Sequence, residues 1–221
     1  MINLPPWLLT FINNAVYAML AANALWALYC VLVVWTRLSG KGFRTDKQQD
    51  AFLDELEQPL LKGEVEPAAA ICEASPKALP QLCRLGLANS QFELTKVQDL
   101  LMERFQQDVL TDIENKINWI NNVIKTAPML GLLGTVLGMM AAFAKLAGGS
   151  GQAVDPQDLA SDISFALITT AIGLFITIPC LLATAKFGIM LRNFESMITV
   201  GLNRFLDALA IAQRQLPAQR R

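Results

Sequence analysis

Three stretches without a charged side chain constrain this chain more than any other feature. No Asp, Glu, Lys or Arg occurs from Met1 to Thr36, from Thr126 to Ala144, or from Ile163 to Ala185. Each stretch supplies the ~20 apolar residues that a helix needs to cross ~30 Å of hydrocarbon. Apolar residues make up 53% of the chain and charged ones 17%, a balance too apolar for a soluble domain of 221 residues. The predicted fold class is an all-α membrane protein with three transmembrane helices and long helical extensions outside the bilayer. A cleaved secretory signal is disfavoured for the first stretch, because no basic side chain precedes Arg37.

The charges between these stretches set a direction. Arg37, Lys41, Arg44 and Lys47 follow the first span, and Lys186, Arg192, Arg204, Arg214, Arg220 and Arg221 follow the third. By the positive-inside rule both flanks face the cytoplasm, with the amino terminus outside and the carboxy terminus inside. The chain then divides into an amino-terminal segment and first span (1–36), a cytoplasmic helical domain (37–116), a second span (117–147), an external loop (148–161), a third span (162–187) and a cytoplasmic helical tail (188–221). The external loop carries Asp155 and Asp158 but no basic residue.

Residues 37–116 mix both signs with acidic residues in excess, which excludes a nucleic-acid patch and fits a solvated helical domain. Phe52, Leu53, Leu56, Leu60 and Leu61 recur at helical spacing, and Pro59, Gly63, Pro67, Pro76 and Pro80 divide this part into short helices. Asn89 or Ser90 is the expected cap of a longer helix. Leu94, Val97, Leu101, Phe105, Val109, Ile113 and Ile117 carry it directly into the second span. In Asp155-Pro156-Gln157-Asp158 the first Asp suits a cap, Pro the first helical position and the second Asp the helix dipole.

The charge-free stretches carry no histidine and no carboxylate, with Asp162 at the edge of the third. That removes the usual metal ligand, general base and acid pair, so a membrane enzyme has no support, and no cofactor or metal is expected. The four cysteines include no C-x-x-C pair and read as structural thiols. What the spans do carry is small and hydroxyl side chains at helical spacing: Gly131, Thr135, Gly138 and Ala142 in the second, and Ala166, Thr170, Gly173, Thr177 and Thr184 in the third. Close helix packing explains such stripes, as in Gly134-x-x-x-Gly138. Lining a pore is the alternative, since a threonine hydroxyl can hold a water chain without bearing charge. Asp162 reads as a cap of the third helix, and Lys145 as an anchor that snorkels to the interface rather than a pore charge. Pro128 and Pro179 are expected to kink or interrupt their helices.

The stretch from Ala127 to Met139, APMLGLLGTVLGM, resembles the second-span signature of the MotA/TolQ/ExbB proton channel family. The stretch from Ala166 to Leu174, ALITTAIGL, followed by Ile178-Pro179, resembles its third-span signature. Three spans rather than four, with a short amino terminus, bring the chain nearer to ExbB and TolQ than to MotA. The resemblance implies that Thr135 and Thr170 face a central pore, and the pore-lining set it suggests is Thr135, Thr170, Thr177, Gly131, Gly138 and Gly173. It implies a homopentamer in the bacterial inner membrane around an ExbD- or TolR-like single-span dimer that supplies the proton-binding Asp, with protons as the coupling ion. A TonB- or TolA-like protein is a further candidate partner. The implied function is to couple proton flow to an outer-membrane or envelope process such as TonB-dependent transport. A MotA-like stator for motility and a non-conducting scaffold are the alternatives. One departure stands out: ExbB and TolQ commonly carry a glutamate five residues before the third-span threonine, and here that position is Phe165.

Overall fold

The computed structural model describes residues 6–41, 46–148 and 156–219. Seven α-helices account for almost all of them: α1 (Pro6–Lys41), α2 (Asp46–Leu61), α3 (Val65–Glu73), α4 (Ala78–Ala88), α5 (Leu94–Phe105), α6 (Thr111–Gly148) and α7 (Pro156–Gln219). No strand occurs among the described residues. Three helical stretches are long and apolar enough to cross a membrane, within Asn14–Gly40, Leu94–Ala147 and Pro156–Gln213. The chain divides into two compact units. An apolar unit is drawn from Met1–Leu32 and Lys116–Lys186, and a polar unit from Val33–Asn115 and Phe187–Arg221.

In the polar unit the breakers act where backbone chemistry lets them. Gly63 takes a positive φ of 77°. It ends α2 in a Schellman motif, in which Glu64 N–H donates to the Pro59 carbonyl and Gly63 N–H to that of Leu60, both at 3.0 Å. Pro67 and Pro80 do not break helices. They sit in the first turns of α3 and α4, where a missing N–H leaves no bond unmade. The expected cap is displaced as well: Asn89 closes the end of α4, its Nδ2 donating to the Leu85 carbonyl at 2.8 Å, and α5 starts five residues later behind Glu93.

The helix that follows is not uniform. Between α5 and α6 the residues Gln106–Leu110 form a π-turn, closed by the Thr111 hydroxyl donating to the Gln106 carbonyl at 2.9 Å. The apolar pattern explains it. From Val97 to Ile113 the apolar positions advance four residues at a time. On an α-helix each such step drifts by ~40° around the axis. The wider turn takes up that drift, so Val97, Leu101, Phe105, Val109 and Ile113 all stay buried.

These side chains share a core with Phe187, Phe194, Ile198, Leu202 and Phe205 of α7. Phe105 and Phe194 pack with ring centroids 6.0 Å apart. Gly86 lets α4 approach α7, since a Cβ there would lie 2.6 Å from the Phe205 ring. Polar ties fasten the rim. The Arg204 guanidinium pairs with Glu57 and Asp54 and approaches Asp50 at 3.7 Å, reaching three carboxylates along α2. These bonds push the Arg204 pKa further up. Gln49 Nε2 donates to the Met197 carbonyl at 2.7 Å, and Arg37 pairs with Asp112 at 2.7 Å. Cys72 and Cys83 are buried here, and burial pushes the Cys72 thiol up to about 11 from 9.0. Cys83 is raised for the same reason.

The apolar unit inverts this order. Leu132, Leu167, Phe175 and Leu182 are more than 60% exposed, a surface suited to lipid or to neighbouring helices and not to water. α7 begins at Pro156, the first helical position expected from Asp155-Pro156-Gln157-Asp158, so the helix takes in the part of the assigned loop from Pro156 to Ser161. Asp158 stands in its first turn, and Asp155 lies outside the described residues. Pro128 and Pro179 lie within α6 and α7, and neither interrupts its helix.

Candidate ion pathway at a crossing of two helices

The apolar unit is centred on the crossing of α6 and α7, and glycine makes that crossing possible. A Cβ on Gly131 would stand 2.9 Å from both the Thr169 carbonyl oxygen and Thr170 Cα, and one on Gly173 would stand 2.6 Å from the Ala127 carbonyl oxygen. Gly138 meets Ala166 and the Asp162 carbonyl just as closely, and Gly134 meets the Thr169 hydroxyl. All four are buried, Gly131 and Gly173 directly against backbone, in the pattern that small residues allow between membrane helices.

This geometry sorts the residues expected to line a pore. Gly131, Gly138 and Gly173 have their surface inside the crossing of a single chain. Thr135, Thr170 and Thr177 keep part of theirs exposed. Each of these hydroxyls donates to a carbonyl: Thr135 to Leu132 at 2.7 Å, Thr170 to Gly131 at 3.1 Å and Thr177 to Gly173 at 2.8 Å. Thr184 does the same to Leu181 at 3.0 Å. With its one proton engaged, a hydroxyl presents only lone pairs to its surroundings. The exposed threonine edge is therefore a row of acceptors, which suits water or a cationic proton carrier and not an anion.

Thr169 was not singled out in the sequence beyond its place in the third-span motif. It is fully buried and donates to Ala166 at 2.9 Å, with the Gly131 carbonyl at 3.4 Å. The Gly131 carbonyl thus faces two consecutive hydroxyls, from Thr169 and Thr170. The available signal was its neighbour: of two adjacent threonines on one helix, only one can point outward.

Asp162 and Lys145 correct their expected roles. Because α7 starts at Pro156, Asp162 lies in its second turn and cannot cap it. It pairs with Lys145 of α6, Oδ2 to Nζ at 2.7 Å, with 15% of the Asp162 side chain exposed. Lys145 is an ion-pair partner. Between Lys125 and Lys145 on α6, and between Asp162 and Lys186 on α7, no charged residue occurs. Phe165 packs edge-on against Tyr17 of α1 at 5.2 Å. Lower on α1, Asn23 accepts from the Thr126 hydroxyl at 3.3 Å and Trp26 meets Trp119 at 5.8 Å, which hold α1 against α6.

The family model described as the MotA/TolQ/ExbB proton channel family matches residues 74–199, more than half of the chain. The chain is 32% identical over 117 residues to the ExbB-like 3 biopolymer transport protein of Synechocystis sp., covering 52% of this chain and 53% of that one. It is 36% identical over 86 residues to the Tol-Pal system protein TolQ of Haemophilus influenzae, covering 39% and 37%. To the biopolymer transport protein ExbB of Xanthomonas campestris it is 38% identical over 73 residues, covering 33% and 28%. The chain thus spans about half the length, or less, of these curated relatives. With three apolar helices, two of them crossing on glycine beside a row of threonines, this multi-pass membrane protein belongs to the MotA/TolQ/ExbB proton channel family.

Proposed function

We propose that this chain is the pore-forming subunit of an ExbB/TolQ-like motor in a bacterial inner membrane, driven by the proton-motive force. It works as a homopentamer around an ExbD/TolR-like single-span dimer, energising an envelope process such as TonB-dependent transport through a TonB- or TolA-like protein. The observation that carries this reading is the threonine edge of α6 and α7. Its acceptors can hold water across the apolar unit, yet no ionisable side chain stands beside Thr135, Thr170 or Thr177.

A proton path through hydrocarbon needs a titratable group. Along the charge-free stretches 126–144 and 163–185 this chain offers none, and a carboxylate on a single-span partner meets the need there. Protons are the coupling ion, each worth ~2.3 kcal/mol per 100 mV, so several act per stroke. No step calls for catalytic groups of this chain, and the reading is a transport subunit and not an enzyme.

The test is proton flux into liposomes holding the chain with its candidate single-span partner under an imposed gradient. Flux that vanishes when the partner Asp becomes Asn supports the proposal. No flux from an intact complex would favour a non-conducting scaffold. Thr170→Val keeps size and removes the hydroxyl, so the expected outcome is an assembled complex with flux lost. Normal flux in that variant would remove Thr170 from the path.

A further inference from the structure

We infer that Asp162 is a proton-accepting station at one mouth of this pathway, paired with the Lys145 ammonium until a proton arrives. The inference rests on the proton-conducting reading above. On the positive-inside reading this mouth is the external one, next to the segment that joins α6 to α7.

Three observations meet at Asp162. First, it is an ionised pair within the apolar helices, Oδ2 to Lys145 Nζ at 2.7 Å, with the Asp162 side chain 15% exposed and that of Lys145 41%. An ionisable residue at such a place is by default functional, because its desolvation is costly. Second, Asp162 begins the small-residue face of α7. Asp162, Ala166, Thr170, Gly173 and Thr177 follow spacings of four, four, three and four residues, which place them on one side of the helix. Third, its own backbone carbonyl abuts Gly138 at the crossing, so the side chain is fixed relative to α6 by backbone packing.

The charged surroundings are simple among the described residues. From α6 Lys145 faces Asp162. On α7 itself Asp158 lies one turn nearer the helix start and is exposed, and on α1 the titratable Tyr17 has its ring against Phe165, one turn inward.

The step follows directly. A proton from the aqueous phase binds an Asp162 carboxylate oxygen and releases the Lys145 ion pair, so the two side chains go from neutral overall to a single positive charge. The Lys145 ammonium, already partly exposed, turns to water. The proton then passes to a water held by the threonine acceptors, and the carboxylate re-forms its pair with Lys145. No bond other than O–H forms or breaks, and the proton count balances.

A purely structural tie between α6 and α7 is the competing role. Asp162→Asn separates the two, because an amide oxygen still accepts from the ammonium but cannot take up a proton. Proton flux is measured on the full chain with its candidate single-span partner in liposomes, against the pH of the side next to Asp162. The expected result for Asp162→Asn is a complex of wild-type size with flux reduced about tenfold or more, whereas Asp162→Glu retains flux. Should Asp162→Asn fail to assemble, the double variant Asp162→Asn with Lys145→Gln keeps a neutral amide pair and carries the same expectation. Wild-type flux with an unchanged pH profile in either assembled variant would overturn the inference and leave the conducting function standing. A wild-type complex without flux would overturn both.

Discussion

A glycine is replaceable on the surface of a membrane helix and irreplaceable where two backbones touch. Gly173 is the sharpest case, since an added methyl would stand 2.6 Å from the Ala127 carbonyl, a rigid group that cannot swing aside. Gly173→Ala is therefore expected to push α6 and α7 apart, at a cost of about 1–3 kcal/mol. Thermal unfolding in detergent would measure it, with Gly188→Ala as the control, because nothing lies within 4 Å of a Cβ there. The polar unit has its own decisive residue in Arg204. Its pairs with Glu57 and Asp54 are partly exposed, so Arg204→Ala is expected to destabilise this unit by only about 1 kcal/mol after screening. The loss should shrink further in high salt, and denaturant unfolding at two ionic strengths would show it.

At the scale of an element, the π-turn is the feature with the clearest consequence. Because Gln106–Leu110 absorbs the drift of a four-residue apolar repeat, removing one residue there should let the helix close as continuous α. The π-turn holds one residue more than an α-turn, so the deletion keeps Phe105 and Ile113 on one face: the shortened α-helix brings Ile113 within ~20° of Phe105. Deleting Gln107, which is exposed, is the test: the expected result is a regular helix with its apolar face intact and an unfolding midpoint close to that of the unaltered chain, and a large fall in midpoint would show that the turn does not hold an extra residue. Thr111→Val should weaken the turn without shifting register, because it removes the hydroxyl bonded to the Gln106 carbonyl. Most of this helix was legible from its apolar period. The turn was not, because a run of four-residue steps looks helical until its accumulated rotation is compared with where the core lies.

Across the whole molecule, two kinds of solvent select two kinds of surface. The apolar unit exposes leucine and phenylalanine, while the polar unit buries them. Cys72 and Cys83 report on the second. Burial raises both thiols, so they remain protonated in the folded chain over a pH range where they would ionise in an unfolded one. A raised folded value gives stability that is complete below the ordinary value of 9.0 and is lost as pH rises toward about 11. Unfolding midpoints are expected to be flat up to pH 9.0 and to fall above it, and alkylation of both thiols at pH 8 should await unfolding. A Cys72→Ala, Cys83→Ala variant whose midpoint falls equally above pH 9.0 would show that other groups carry the effect.

The sequence by itself determined how many helices cross the membrane and roughly where. Charge-free length is a local property, and hydrocarbon admits no charged or unbonded backbone cheaply. It also determined that the polar segment breaks at Gly63, because a glycine between two amphipathic runs is a local stop signal. Only the tertiary structure decided how the small-residue stripes divide. Gly131, Gly138 and Gly173 went into a crossing while Thr135, Thr170 and Thr177 kept an exposed edge, because the periodicity of one helix does not say which part of its face a second helix covers. The same holds for Asp162 and Lys145. They stand far apart along the chain's local patterns, and only the start of α7 at Pro156 and the close approach permitted by Gly138 bring the two charges together.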